Sequence, residues 1–241
     1  MDQITRNLLV VEEGQWRLSG ALDSGGTTED GENQYRRADG GGRWVYESSI
    51  ILTTDSEVRL YESLLLRWSL GYDIAIVSRI GGPLMLGFVT SGETILVPFS
   101  DGSTFSDGTL FEGSEVGTAF LVDDAASGAT SYRVQIEGAP RTLQGGEPFT
   151  MTGDKYRDRL YGVASVLSEE AAGEATIYTI LAAPPLREPY AAGTEVDFDN
   201  PRVVMRPNLT DPGVWPSYKD VFRNARVPVS WTETKRISDG L

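Results

Sequence analysis

Apolar residues in this chain alternate with polar ones in short runs over most of its length and take up a helical period in one place. Val58, Tyr61, Leu65 and Trp68 recur at steps of three and four, while Glu57, Arg59, Glu62 and Arg67 lie mostly off that stripe. Thr54 and Glu57 stand at capping-box spacing in front of it, and Gly71 reads as its C-cap, so the pattern predicts one amphipathic helix over about residues 55–70. The stripe is as wide as a helix packed across a sheet requires. Each leucine or aromatic buried on it contributes roughly 1.5–3 kcal/mol.

The remaining periodic segments read as strands. Leu8–Val11 and Trp16–Leu18 flank a Glu-Glu-Gly turn, and Trp44–Leu52 returns to β character before the helix. Asp73–Val77 and Thr94–Val97 follow, with Gly81-Gly82-Pro83 as a turn between them, then Thr118–Val122 and Tyr132–Ile136. From Gly145 to Arg206 the signal is densest. Gly146–Met151 and Arg159–Val166 are separated by the polar Gly153-Asp154-Lys155, and Glu174–Leu181 precedes a double-proline elbow at Ala183–Arg187. Beyond it Ala192–Asp199 alternates across Val196 and Phe198. The predicted fold is therefore mainly β, an antiparallel β-sandwich or barrel with one helix.

Two stretches read as long loops. Residues 23–43 are polar and glycine-rich, with Ser24–Gly31 at their centre. In 99–115, Phe99–Thr104 is echoed by Phe105–Leu110, a six-residue near-repeat with Ser-Asp-Gly turns that suggests a lengthened hairpin. The last stretch differs again. From residue 207 the chain carries Pro207, Pro212, Pro216 and Pro228 among Trp215, Tyr218, Phe222 and Trp231, a mixture that breaks regular elements yet is too aromatic for a free tail. The expected organisation is thus a β-rich core over 1–206 and an extended arm over 207–241 that contacts the core or a neighbouring subunit.

Composition narrows the chemistry. With 241 residues and 40% hydrophobic content the chain builds a real core as one large or two small domains. Its 21 basic against 35 acidic residues give a formal charge of −14, which argues against a sequence-independent nucleic-acid binder. Cysteine and histidine are both absent, so thiolate nucleophiles, imidazole acid–base groups, disulfides and the common zinc sites are excluded. No run approaches the roughly 20 apolar residues of a membrane span. The amino terminus carries no signal-peptide core, because its short apolar run meets Glu12-Glu13.

Several residues invite a chemical reading, each beside a plainer one. Glu195, Asp197 and Asp199 are acidic residues on one side of a strand, as a paired-carboxylate glycosidase needs; beside Val196 and Phe198 they equally describe a half-solvated strand. Asp197, Asp199 and Asn200, or Asp101 and Asp107, offer oxygen donors for calcium, though no EF-hand loop is completed and Asp-Gly is ordinary turn chemistry. Gly40-Gly41-Gly42 lacks the Gly-Lys-Ser/Thr of a phosphate loop, and Arg36, Arg37 and Arg43 around it suit carboxylates of an adjacent subunit or plain solvation. No catalytic, cofactor-binding or metal-ligating residue is assigned, and no cofactor is expected.

The order of pieces in the chain resembles the distal tail or baseplate class of small β-rich structural proteins in long-tailed (siphovirus-type) bacteriophages. The pieces are Gly146–Thr150, Leu160–Val166, Pro184–Arg187, Ala192–Phe198 and Pro201–Arg206, with Tyr35–Trp44 and the following helix ending at Leu70-Gly71 upstream. The resemblance implies a structural virion protein that is no enzyme. It implies a homo-oligomeric ring, a hexamer, linking the tail tube to a tip, hub or receptor-binding part. It places the protein in the virion tail after a period in the host cytoplasm, with no nucleic acid and no membrane span among its partners. The competing reading is a carbohydrate-binding or glycan-cleaving β module of a receptor-binding apparatus, with Trp16, Trp44, Trp215 or Trp231 as sugar-stacking platforms.

Overall fold

The computed structural model describes residues 10–11, 14–27, 29–37, 40–70, 75–78, 95–97, 111–113, 118–137, 142–154, 157–173, 175–198, 201–210, 214–215 and 225–234. In chain order the elements begin with β1 (Val10–Val11), β2 (Gln15–Ser19), β3 (Leu22–Thr27), β4 (Asn33–Arg37), β5 (Arg43–Leu52) and α1 (Asp55–Ser69). Then come β6 (Ala75–Ser78), β7 (Ile95–Val97), β8 (Phe111–Gly113), β9 (Thr118–Leu121), β10 (Ser131–Glu137) and β11 (Pro148–Gly153). The last are β12 (Arg157–Ala172), β13 (Ala175–Ala183), β14 (Val196–Asp197), β15 (Arg202–Pro207) and β16 (Ala225–Glu233). The protein is mainly β with antiparallel sheets and a single helix among the described residues.

These elements fall into two compact units that share the chain unevenly. The first holds residues 1–81, 152–160 and 202–241, and the second holds 82–151 and 161–201. The chain passes from one to the other inside β11 and inside β12. Residues 206 and 207, where the sequence suggested a boundary, both belong to the first unit.

In the first unit the sheet order is β1-β5-β16-β15-β6, with β2 also paired to β5. The helix lies on this sheet as its periodicity requires. Val58, Tyr61, Leu64, Leu65 and Trp68 are all buried, and the Trp68 ring meets Trp231 of β16 edge to face at 5.2 Å. Both halves of the capping box form: the Thr54 hydroxyl accepts the Glu57 N–H, and the Glu57 carboxylate accepts the Thr54 N–H at 3.0 Å. The helix ends on Leu70, whose φ of −78° is right-handed. Gly71, the expected cap, lies outside the described residues.

The second unit is a six-stranded sheet in the order β14-β11-β12-β13-β10-β9 that nearly closes on itself. Its ends meet through a bridge between Phe120 and Glu195, with the Leu121 N–H donating to the Thr194 carbonyl at 2.9 Å and the Gly193 N–H to the Leu121 carbonyl at 2.7 Å. Residues at every second position point inward: Ala119 and Leu121 on β9, Tyr132, Val134 and Ile136 on β10, Tyr178, Ile180 and Ala182 on β13. The prediction of a barrel-like core in this part of the chain rests on that alternation.

Two predicted features take a different form. Residues 23–43, expected as a loop, contain the ribbon β3–β4, with a register shift between Ser24 and Gly26 and a bond from Thr27 Oγ1 to Asn33 Oδ1 at 3.3 Å. Its described side chains are exposed, so among them no buried face imposes an apolar alternation on the sequence. The arm expected from residue 207 contains β16, which is hydrogen-bonded to β5 along eight residues and to β15 on its other side. Val227, Val229 and Trp231 alternate inward there. Among the described residues β15 ends at Pro207, opposite Trp231, so no described strand pairs with β16 at Pro228 on that side, a position where a proline is tolerated. The near-repeat at 99–110 and the turn at 81–83 lie outside the described residues; β7 and β8, on either side of 98–110, pair antiparallel as a hairpin requires.

Candidate functional site

Charged side chains taken out of water are where chemistry would concentrate, and the first unit holds two such sets on β12. Arg159 and Glu233 form a fully buried ion pair at 3.1 Å, with side chains 0% and 1% exposed. The same guanidinium donates to the Thr234 carbonyl at 2.7 Å, and the other Glu233 oxygen accepts the Trp44 N–H at 3.1 Å. Next to it along the chain, Asp158 accepts from Thr152 Oγ1 at 2.7 Å and from Arg202 Nε at 3.0 Å. Each carboxylate is committed to strand backbone or to a neighbouring cation. The groups tie β12 to β5, β15 and β16.

Aromatic rings occupy the interior of the second unit. Phe149 stacks on Tyr161 at 5.6 Å and meets Phe198 at 5.2 Å, while Tyr132 approaches Phe149 edge-on at 6.5 Å. The Tyr161 and Tyr190 hydroxyls lie 3.3 Å apart, and the Arg187 N–H donates to Tyr161 at 3.2 Å. Burial, and then the neighbouring Tyr161, push the Tyr132 phenol well above the ordinary tyrosine range. Rings stacked this closely make a packed core of the barrel-like sheet.

The residues that carry the sequence resemblance are largely structural. Glu147 is 4% exposed, and its two oxygens accept the backbone N–H groups of Gln144 and Gly145 at 2.7 and 2.8 Å, folding the lead into β11. Leu160, Tyr161 and Val163 are core residues of β12. At the double-proline elbow, where the Ala183–Pro184 bond is cis, Leu186 is buried and exchanges backbone bonds with Ala129 and Gly128. Val196 and Phe198 are buried, and Val203 and Met205 of β15 are inaccessible.

The individually considered candidates separate. Glu195 is exposed beside Phe120 and Asp197 is half-buried in register with Thr150, the arrangement of a strand with one wet face. Asp101, Asp107, Asp199 and Asn200 lie outside the described residues. Among the described residues no group of three or more acidic side chains is placed to hold a metal ion. Gly40, Gly41 and Gly42 all have positive φ, and a side chain on Gly42 would collide with the Ser19 carbonyl at 2.7 Å, so this run is a tight backbone crossing. Arg36 and Arg43 beside it are exposed. Of the four tryptophans proposed as platforms, Trp44 and Trp231 are core residues. Trp16 is half-buried and stacked on Tyr46 at 4.5 Å, and Trp215 remains 44% exposed.

Sequence reasoning missed the Arg159–Glu233 pair. Its partners are 74 residues apart, and each sits in an ordinary strand pattern, so no local signal marks it. What stays outside the packed cores is surface: the β3–β4 ribbon with Leu22 and Tyr35 at 63% and 64% exposure, and the far end of β12–β13 with Leu167 at 57%. No described helix is long and apolar enough to cross a membrane. No protein-family model matches the chain, and comparison with curated proteins returns no match.

Proposed function

We propose that this chain is a structural component of a long-tailed bacteriophage tail, a distal tail or baseplate ring protein that joins the tube to the tip and performs no catalysis. The observation that carries the reading is the ordered run of sequence pieces from Gly146 to Arg206, whose residues supply the strands and buried contacts of two β units. A scaffold needs rigid cores and exposed connecting parts. Interiors filled by stacked rings and closed ion pairs, with ribbons left on the surface, suit that task. Repeated around an axis, individually modest contacts hold such a ring together.

Particles carrying a tag at the carboxyl terminus, imaged by negative-stain microscopy, test the proposal. Label at the tail end is the expected result; label at the capsid or none on particles removes the assignment. Exposure of Trp215 favours the second reading, a glycan-binding module, at that position alone. A glycan array with the wild-type chain and Trp215→Ala separates the two, because sugar binding lost with the indole supports the module.

A further inference from the structure

Strand β12 outlasts one of its neighbours. Val163 exchanges backbone bonds with Gly146 and Glu147, just ahead of β11, whereas β13 stays paired with β12 as far as Ala172 opposite Ala175. Over Val166–Ala172, no strand among the described residues covers the other side of β12. Such an edge offers a row of backbone donors and acceptors to an incoming strand. This one carries a register shift between Val166 and Ser168, the exposed Leu167, and the exposed Glu169 and Glu170. Arg133 stands near Glu170 but is already held by Asp123 through two bonds of 2.6 and 2.8 Å.

A second strand is equally unaccompanied. Among the described residues the β3–β4 ribbon pairs only with itself, and two strands alone are marginal in water. Leu22 pairs with Arg37 and Ser24 with Tyr35, which puts exposed Leu22 and Tyr35 on one face of the ribbon. Arg36, in register with Asp23, is exposed on β4, and Arg37 follows it. Two β12 edges brought together would oppose glutamates to glutamates, a destabilising arrangement. An edge bearing the exposed Arg36 and an aromatic has the matching chemistry.

We infer that β4 of one copy docks along the open edge of β12 in a second copy, with Tyr35 over Leu167 and the exposed Arg36 facing Glu169 and Glu170. Because the contact joins different surfaces, repeating it in one direction from copy to copy builds a ring or a filament. Its closure into a ring rests on the tail reading above; the contact itself does not.

The chain has no cysteine, which allows a clean cross-linking test. Tyr35→Cys and Leu167→Cys, both at exposed positions, are made in separate full-length chains, mixed and oxidised. A disulfide-linked heterodimer is expected in excess of either homodimer. It should be lost when the Leu167→Cys chain also carries Glu169→Lys and Glu170→Lys. It should return when the Tyr35→Cys chain then carries Arg36→Glu. No excess heterodimer, or no response to the charge reversals, overturns the contact. Sedimentation of the unmodified chain gives a second reading: oligomers should dissociate with rising salt, and a monomer at every concentration or a salt-insensitive oligomer refutes the proposal. Particle labelling away from the tail would sink the tail reading while leaving the cross-link intact, so the two failures are distinguishable.

Discussion

Tyr61 and Tyr132 bury the same hydroxyl in opposite circumstances. Tyr61 donates to the Val214 carbonyl at 3.0 Å, while the Tyr132 hydroxyl has no hydrogen-bond partner among the described residues. Tyr61→Phe should therefore cost about 1 kcal/mol in urea unfolding, and Tyr132→Phe should be neutral or slightly stabilising. Burial raises both phenols above their ordinary value. The folded state thus favours the neutral form: the associated stability is complete below the unfolded value of about 10 and is lost as pH climbs beyond it. Urea midpoints measured on the alkaline side should fall less steeply for either phenylalanine variant than for the wild type.

The Arg159–Glu233 pair makes a different residue-scale prediction. Glu233→Ala strands a fully buried guanidinium and should destabilise the first unit by about 3–5 kcal/mol. Arg159→Met combined with Glu233→Leu should recover most of that loss, because the cost lies in the unpaired charge. A double-mutant cycle on urea midpoints checks both numbers.

At the scale of elements, α1 is where local sequence and final structure agree most closely. Thr54→Ala should cost roughly 1 kcal/mol by removing the N-cap acceptor. The Thr53 backbone N–H, then its hydroxyl, hold the Glu57 carboxyl below its ordinary value. That contribution is present above the ordinary carboxylate range and fades as pH falls through the lowered folded value. Glu57→Gln should flatten the acid limb of the stability profile, modestly because the site is near solvent, and less so at high salt. The helix was legible because its period, its stripe and its cap lie within sixteen residues of one another. The ribbon β3–β4 and strand β16 were not, for opposite reasons. Among its described side chains the ribbon has no buried face to impose alternation, and β16 carries a proline whose tolerance depends on where a partner strand stops.

At the scale of the molecule, the interleaved chain has a consequence for spectroscopy. All five tryptophans lie in residues assigned to the first unit, and the second has none, so tryptophan fluorescence reports the first unit alone. A chain ending at Asn224 lacks β16, and with it the strand between β5 and β15 and the Trp231 ring under Trp68. Its emission should shift to that of exposed indoles. Adding a peptide spanning residues 225–234 should restore the native spectrum; an unchanged spectrum in the truncated chain would show β16 to be dispensable.

What the amino-acid sequence determined by itself was everything with a short range: the β character, the helix and its cap, most strand positions in 118–199, and the exclusion of thiol and imidazole chemistry and of the common cysteine and histidine zinc sites. These follow from periodicity over a few residues and from residue types that are simply missing. Only the tertiary structure decided that β5 and β16, far apart in sequence, are neighbours. It also decided that Arg159 meets Glu233, that Trp44 and Trp231 are core residues, and that β9 returns to β14. The reason is that burial and pairing depend on which distant segment arrives alongside, and nothing in a local pattern of apolar and polar residues names that segment.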